Sequence, residues 1–256
     1  MNEISEFYDE LSAHYHLLFA DWDAAVVRQG RVVDGLIGTL LGPGPKRVLD
    51  AACGIGTQAI GLAQRGHHVT GTDLSSAAVA RAGKEAARLG VALSTQVADL
   101  RKLTDAVSGP FDVVYVLDNA LPHLEGEVEV AAALDHLAAL LAPGGLFLAS
   151  VRDYDAMLGD RPRVETPRVI DEPDGHRVVF QVWDWAADGG SYRLHLYIVR
   201  YRDGRGADTR VFTSRYWPLT RARLEKLLEK AGFTEVAWHE PDATGFYQPV
   251  VAARAP

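Results

Sequence analysis

The sequence predicts an α/β fold in which helices cover both faces of a parallel sheet. Short apolar segments alternate with helical patterns between residues 47 and 151, as consecutive βαβ units require. The first of these strands also runs into a glycine turn that opens a helix. The chain has 256 residues, which is enough for one large α/β domain with an added element.

The N-terminal segment is helical in pattern from about Ile4 to Leu41. Apolar side chains recur there at spacings of three and four, which places them on one helical stripe. The residues of this stripe are Phe7, Leu11, Tyr15, Leu18 and Trp22. The glycines and prolines between Leu41 and Pro45 end the pattern. We therefore assign residues 1–45 to an N-terminal helical lid.

The central part of the chain alternates strands and helices. The five predicted strands are Arg47–Ala52, His67–Thr72, Leu93–Val97, Phe111–Leu117 and Leu146–Val151. The predicted helices run from the glycine turn to about Arg65, over Ser75–Leu89 with a serine cap, and over Val128–Leu141. This alternation predicts a sheet buried on both faces.

The alternation stops after Val151. Between about Val164 and Trp217 the chain reads as strands separated by turns that favour antiparallel hairpins. We therefore predict an antiparallel insertion over residues 156–217. A helix and two strands return the chain to the main sheet: Thr220–Ala231, Glu235–His239 and Gln248–Ala253. The α/β core thus comprises residues 46–155 and 218–256.

Composition and charge exclude several classes of protein. The net charge is −8, so the chain lacks the positive footprint of a nucleic-acid binder. Cys53 is the single cysteine, which excludes an internal disulfide and a cysteine-rich zinc site. No apolar run approaches the roughly 20 residues that span a bilayer, and the acidic start lacks signal-peptide features. We expect a cytoplasmic protein with no membrane partner, and leave a homo-oligomer open.

Two histidine pairs could suggest a metal site. His14 and His16 are two residues apart on a predicted helix, so they face different sides. His67 and His68 are adjacent on a predicted strand, so they point to opposite faces. We predict no metal site.

The glycine turn within Val48–Thr57 is the most informative motif. Gly54 and Gly56 would let a ligand approach the backbone, and the helix that follows offers free N–H groups. Asp73 follows the second strand, where a carboxylate can accept both hydroxyls of a ribose. A dinucleotide fingerprint would have glycine where Ala59 stands, which weakens that alternative without excluding it.

Four motifs at successive strand ends resemble the class I S-adenosylmethionine-dependent methyltransferases. They are the D-x-x-C-G-x-G-T turn, Asp73, the run Val97–Leu100 and the pair Asp118-Asn119. The resemblance implies a Rossmann-like sheet, S-adenosylmethionine as the co-substrate, Asp73 on its ribose and Asp99 on its adenine amine. The cofactor-binding residues that it implies are Tyr15, Trp22, Arg28, Ala52, Gly54, Thr57, Gln58, Asp73, Leu74, Asp99, Leu100, Leu117 and His123.

A finer likeness points to the glycine and sarcosine N-methyltransferase group. It rests on the segments 117–124 and 150–155, which place an Asn-x-x-x-His after strand four and an Arg-x-Tyr-Asp after strand five. The likeness implies that Asn119 holds the acceptor amine through its carbonyl oxygen and that Arg152 binds the acceptor carboxylate. It also implies Tyr197 and Tyr216 in the substrate pocket. The group's further pocket tyrosine, early in the insertion, is absent between 164 and 171.

The leading hypothesis is therefore an N-methyltransferase acting on a glycine-like amino acid or related amine. The catalytic residues would be Asn119 and His123, with His123 available as a general base. One alternative is O- or C-methylation of a carboxylate-bearing natural-product intermediate, which would make a base essential. Others are a non-catalytic S-adenosylmethionine-binding subunit and an NAD-dependent oxidoreductase.

Overall fold

The computed structural model describes residues 3–256 and contains two sheets. The larger sheet has seven strands in the order β10-β11-β5-β4-β1-β2-β3. Strands β1 to β5 are parallel, and β11 and β10 join antiparallel beside β5. The bounds of these strands are β1 Arg47–Asp50, β2 His68–Asp73, β3 Ser94–Val97, β4 Phe111–Val116, β5 Leu141–Ser150, β10 Thr234–His239 and β11 Val250–Arg254. The predicted α/β fold is confirmed.

The smaller sheet is the predicted antiparallel insertion, which is also confirmed. Its strands pair in sequence order and are β6 Arg168–Glu172, β7 Gly175–Trp185, β8 Tyr192–Arg202 and β9 Gly206–Tyr216. Alternate residues of β8 between Tyr192 and Ile198 are buried and belong to the same apolar cluster as the main sheet. This packing places one face of the small sheet against the α/β core.

Helices occupy the connections between the strands. Their bounds are α1 Glu3–Ser12, α2 Trp22–Leu41, α3 Thr57–Gln64, α4 Ser76–Arg88, α5 Glu127–Leu140, α6 Tyr154–Asp160, α7 Arg221–Lys230 and α8 Pro241–Thr244. The predicted N-terminal helix is interrupted by a 3₁₀ turn at Tyr15–Leu18, after which Asp21 caps α2 by accepting a hydrogen bond from the Ala24 N–H. Short α6 was not predicted, although Asp153 caps it in the same way.

No helix within residues 3–256 is long and apolar enough to cross a membrane.

Helices α2 and α3 approach each other through two glycines. A Cβ atom added to Gly30 would lie 2.4 Å from the carbonyl carbon of Gly61, so no side chain fits between the two backbones. We expect Gly30→Ala to lower the free energy of unfolding by about 1–3 kcal/mol, measured by chemical denaturation. Gly35 is the matched control, because its Cβ would meet open space in the same helix. Gly35→Ala should stabilise by roughly 0.4–1 kcal/mol, and equal effects of the two changes would contradict this packing.

Candidate active site

The glycine turn lies between β1 and α3 at the carboxyl edge of the large sheet. Gly56 has φ +91°, and a Cβ there would lie 2.9 Å from the Ile60 side chain, so the turn requires glycine at this position. A Cβ on Gly54 would meet nothing within 4 Å. No side chain caps the N-terminus of α3. The turn therefore presents backbone and a helix N-terminus to an open space.

Asp73 closes this space from the end of β2. One carboxylate oxygen accepts a hydrogen bond from the Gly54 N–H at 2.8 Å, and the other accepts from the Ser75 N–H at 2.9 Å. Burial raises the pKa of Asp73 above its usual value. The carboxylate is thus fixed beside the glycine turn with lone pairs left for a ligand.

The first cavity is the space enclosed by the glycine turn, the ends of β2 and β4, and the N-terminal segment. Eleven of the thirteen predicted cofactor residues line it: Tyr15, Ala52, Gly54, Thr57, Gln58, Asp73, Leu74, Asp99, Leu100, Leu117 and His123. The sequence motifs therefore converge on one place, as the strand-end argument predicts.

Two predicted cofactor residues lie elsewhere. Trp22 is buried behind the cavity wall, where its indole N–H donates to the Thr57 hydroxyl at 3.0 Å. Arg28 is exposed on α2 and lines a different cavity. The structure therefore makes Trp22 a support for Thr57, and the helix turns Arg28 away from the first cavity.

Asp99 lines the first cavity but is already paired. Its carboxylate accepts hydrogen bonds from the Arg101 guanidinium at 2.6 and 3.0 Å. Burial alone would raise the pKa of Asp99, but the hydrogen bonds from Arg101 bring it below its usual value. An adenine amine at Asp99 would have to share this carboxylate with Arg101.

The second cavity adjoins the first and lies between the large sheet, the small sheet and α1. Its volume is about 830 Å³. The functional candidates that line it are Tyr8, Tyr15, Arg28, Asp118, Asn119, Arg152, Glu165, Gln181, Trp183, Tyr216 and Tyr247. Tyr8, Tyr15 and Asp118 line both cavities, so the two spaces share a wall.

Arg152 follows β5 and points into the second cavity. Its guanidinium donates to the Tyr192 hydroxyl at 3.1 Å and to Gln181 Oε1 at 2.7 Å. It also lies 5.2 Å from the ring centre of Trp183 and 5.6 Å from that of Tyr216. Among residues 3–256, no carboxylate forms an ion pair with it. The hydrogen bonds of the guanidinium are therefore to neutral groups of the small sheet, and Glu165 on the same cavity wall acts on it electrostatically without forming an ion pair.

Asn119, which follows β4, is hydrogen-bonded to Arg152, which follows β5. Its carbonyl oxygen accepts a hydrogen bond from the Arg152 backbone N–H at 3.0 Å and keeps a second lone pair. Its amide nitrogen is buried and faces the Tyr154 and Tyr192 hydroxyls. Asn119 has φ +63° and follows Asp118 at φ +58°, a conformation that asparagine and aspartate tolerate better than most residues.

His123 is enclosed by hydroxyl groups. Nε2 lies 2.8 Å from the Tyr8 hydroxyl, and Nδ1 lies 3.2 Å from the Ser214 hydroxyl. Burial, helped by the charge of Arg152, lowers the pKa of His123 to about 3. A group with so low a pKa is a weak proton acceptor, so the geometry favours a positioning role over the predicted general base.

This low pKa makes stability depend on pH. The unfolded chain binds a proton at His123 below about pH 6.5, whereas the folded protein does so only near pH 3. Stability from His123 should therefore be present above pH 6.5 and fall by up to about 1.4 kcal/mol per pH unit below it. Subtracting the pH-stability curve of His123→Gln isolates this contribution. An imidazole NMR titration near pH 6.5 would contradict the assignment.

Tyr197 does not reach either cavity. It lies on the opposite face of β8 from Tyr192, because successive strand residues alternate, and it stacks on Phe180 with ring centres 4.8 Å apart. Tyr216 does line the second cavity, where it stacks on Tyr192 at 5.2 Å. Tyr192, on the other face of β8, contacts two residues of this cavity, Arg152 and Tyr216.

Sequence reasoning also missed Tyr8 and Gln181. Tyr8 lies one residue outside the apolar stripe of the N-terminal helix, and Gln181 lies in the insertion, where only Tyr197 and Tyr216 were predicted as site residues. The register between β8 and β9 could have identified Tyr192, because it pairs directly with the predicted pocket residue Tyr216. No comparable signal marked Gln181.

Comparison with known proteins agrees with this geometry. The methyltransferase domain family matches residues 48–145. The glycine/sarcosine N-methyltransferase of Parasynechococcus marenigrum is 30% identical over 211 residues, which cover 77% of this chain and 71% of that protein. The chain belongs to the class I S-adenosylmethionine-dependent methyltransferases. It is an S-adenosylmethionine-dependent small-molecule methyltransferase, with S-adenosylmethionine as co-substrate.

Two further relatives match over a shorter part of the chain or at lower sequence identity. The glycine N-methyltransferase of Rattus norvegicus is 34% identical over 162 residues, which cover 55% of each chain. A solved structure of an amino pentose methyltransferase from Micromonospora echinaspora with bound S-adenosylmethionine is 23% identical, covers 90% of this chain and 92% of that one, and has a TM-score of 0.71. That likeness concerns the fold alone.

The first cavity suits S-adenosylmethionine in this methyltransferase. The open space before Gly54 would admit the ligand's close approach to the backbone, and the Asp73 carboxylate has lone pairs available for hydroxyl groups. No cluster of three metal-ligating side chains occurs among residues 3–256.

Proposed function

We propose that this methyltransferase transfers the methyl group to the nitrogen of a glycine-like amino acid or a related amine that carries a carboxylate. The observation that carries the proposal is the Arg152 guanidinium, which faces the second cavity without a carboxylate partner in the described chain. The names of the curated relatives support the same acceptor class.

Arg152 would bind the acceptor carboxylate. Gln181 and Tyr192 hold two of its guanidinium nitrogens, which orients the planar fork before a ligand arrives. A charge-assisted pair with a carboxylate contributes roughly 1.5–3 kcal/mol. Glu165 lines the same cavity and acts on Arg152 electrostatically but forms no ion pair with it, so the guanidinium is available to an acceptor carboxylate.

Asn119 would orient the acceptor amine through the remaining lone pair of its carbonyl oxygen. Because its carbonyl oxygen is held by the Arg152 backbone, the amide plane is fixed beside the guanidinium. S-adenosylmethionine supplies a methyl group on a positively charged sulfur. The chain's own contribution is then mainly proximity and orientation, which can lower a barrier by several kcal/mol.

The N-terminal segment would exclude water from the junction of the two cavities. Tyr8 and Tyr15 line both cavities from α1 and the 3₁₀ turn, and Arg177 of β7 donates to the Leu17 carbonyl at 2.9 Å. These contacts fasten the segment to the small sheet. We propose that both parts act as lids over the site.

The alternative acceptors are less well supported. O- or C-methylation with His123 as the base conflicts with its low pKa of about 3. A carboxylate on the acceptor, a homo-oligomeric state and a cytoplasmic location stay predictions.

The proposed acceptor class is tested by a substrate panel. The protein is incubated with methyl-labelled S-adenosylmethionine and matched amines, alcohols and activated carbon acids, and each product is identified by mass and fragmentation. We expect N-methyl products from amino acids close to glycine in size. Label found only on oxygen or carbon would refute the proposal.

A further inference from the structure

Asp118 is the carboxylate common to both cavities. It follows β4 at the carboxyl edge of the sheet, between the glycine turn, which lines the first cavity, and Arg152, which lines the second. Other acids line one cavity each, among them Asp73 in the first and Glu165 in the second. Asp118 therefore stands where a transferred group must pass from one cavity to the other.

Neutral donors hold the Asp118 carboxylate in place. Gln58 Nε2 donates to one oxygen at 2.7 Å, and the Tyr247 hydroxyl donates to the other at 2.9 Å. No cation forms an ion pair with Asp118 among residues 3–256. Each oxygen keeps a lone pair beyond these contacts. The carboxylate is therefore oriented and lacks a positive partner.

The backbone at this position is also unusual. Asp118 and Asn119 are consecutive non-glycine residues with positive φ, a conformation that costs free energy and clusters at functional sites. The Asp118 N–H donates to the Ser150 hydroxyl at 2.8 Å, which ties the strained turn to β5. The fold thus maintains a costly conformation that directs the carboxylate to the junction.

We propose that Asp118 receives the acceptor's ammonium group and takes its proton before methyl transfer. This inference rests on the proposed function, since it requires an amine acceptor, and it assigns the cationic end of a zwitterion whose anionic end lies at Arg152. The proton moves from nitrogen to a carboxylate oxygen of Asp118, and the N–H electron pair remains on nitrogen as its lone pair. Asp118 later returns the proton to solvent.

The surroundings suit this role. Burial raises the pKa of Asp118, although the hydrogen bonds from Gln58 and Tyr247 oppose that shift, so the carboxyl is a stronger proton acceptor than an exposed aspartate. Burial also raises the pKa of nearby Asp50 to about 8. The titratable and charged groups that line the two cavities or act on Asp118 are Tyr8, Tyr15, Arg28, Asp50, Cys53, Asp73, Asp99, Arg101, Tyr115, His123, Arg152, Asp153, Glu165, Arg168, Tyr216, Glu240 and Tyr247.

The test compares wild type with Asp118→Asn, which keeps the shape and suits the positive φ. Glycine is the probe, and kcat/KM is measured from pH 6 to pH 10. We expect Asp118→Asn to lose roughly 100-fold at pH 7 and to recover about tenfold per pH unit as the free amine forms. Asp153→Asn is the control, because it removes a carboxylate beside the same cavity but keeps a helix cap. Because both variants keep Asp50, the difference between their pH profiles does not contain the titration of Asp50.

A binding measurement supplies a readout independent of turnover. Glycine is titrated into the complex with S-adenosylhomocysteine in buffers of different ionisation heat. Wild type should release no proton to the buffer, because the ammonium group of glycine binds the Asp118 carboxylate. Asp118→Asn should release about one proton for each glycine bound, because it binds the free amine. The same proton count in both proteins would overturn the proposal. A tenfold loss of S-adenosylmethionine affinity with an unchanged pH profile would instead assign Asp118 to the cofactor.

Glycine amide separates the two proposals, since it keeps the ammonium but lacks the carboxylate. If wild type methylates acid and amide equally while Asp118→Asn still shows the pH-dependent loss, the carboxylate assignment fails and Asp118 keeps its role. If acid is preferred but the loss in Asp118→Asn is equal at every pH, the Asp118 assignment fails alone. If no amine is methylated, both fail.

Discussion

Asp73→Ala is expected to weaken S-adenosylmethionine binding by at least about 2 kcal/mol, or roughly 30-fold in the dissociation constant. The carboxylate lines the first cavity, and its position is fixed by the Gly54 and Ser75 N–H groups. The variant loses a charged acceptor for ribose hydroxyls and also the hydrogen bond that the Gly54 N–H of the glycine turn donates to Asp73. Isothermal calorimetry with S-adenosylhomocysteine and S-adenosylmethionine measures the effect.

A ligand variant separates the two consequences of Asp73→Ala. If the carboxylate binds the ribose, wild type should lose affinity for the analogue without the two ribose hydroxyls, and Asp73→Ala should bind both ligands alike. Asp105→Ala is the control, because Asp105 is an exposed carboxylate that follows β3. Unchanged affinity of Asp73→Ala for the natural ligand would refute the ribose role.

Arg152→Ala is expected to lower kcat/KM for a carboxylate-bearing amine by roughly 10- to 150-fold, which corresponds to 1.5–3 kcal/mol. Arg152→Lys should recover little, because an ammonium cannot reproduce the planar fork that Gln181 and Tyr192 hold. Amine substrates without a carboxylate should be almost unaffected by either change. Initial rates at saturating S-adenosylmethionine measure all three effects.

Arg163→Ala is the matched control for Arg152, since it removes an exposed arginine that pairs with Asp184 in the same part of the chain. Its kinetics should match wild type. An equal loss on acid and amide substrates in Arg152→Ala would show that Arg152 supports the cavity wall rather than binding a carboxylate.

The α/β core could be predicted because its residues obey local rules. The strand ends carry the glycine turn, Asp73, Asp99 and Asn119, and parallel strands bring their carboxyl ends to one edge. Ser75 caps α4, as expected from its position before an apolar period. These signals depend on neighbours in the sequence, so they need no knowledge of tertiary packing.

Features that depend on tertiary packing could not be predicted in the same way. The face to which Tyr197 points follows from the register of β8, and a shift of one residue reverses it. Burial of His123 arises from Tyr8 and Ser214, which lie 115 and 91 residues away in the chain. The pairing of Asp99 with Arg101 depends on a side-chain conformation that spacing does not fix.

Acceptor choice by wild type tests the central claim most directly. Glycine and glycine amide are supplied separately with methyl-labelled S-adenosylmethionine, and kcat/KM is determined for each with the product identified by mass. An unpaired Arg152 facing the second cavity predicts N-methylglycine and a preference for the acid of about tenfold or more. Equal turnover of acid and amide, or methylation of neither, would contradict a carboxylate-bearing amine as the acceptor.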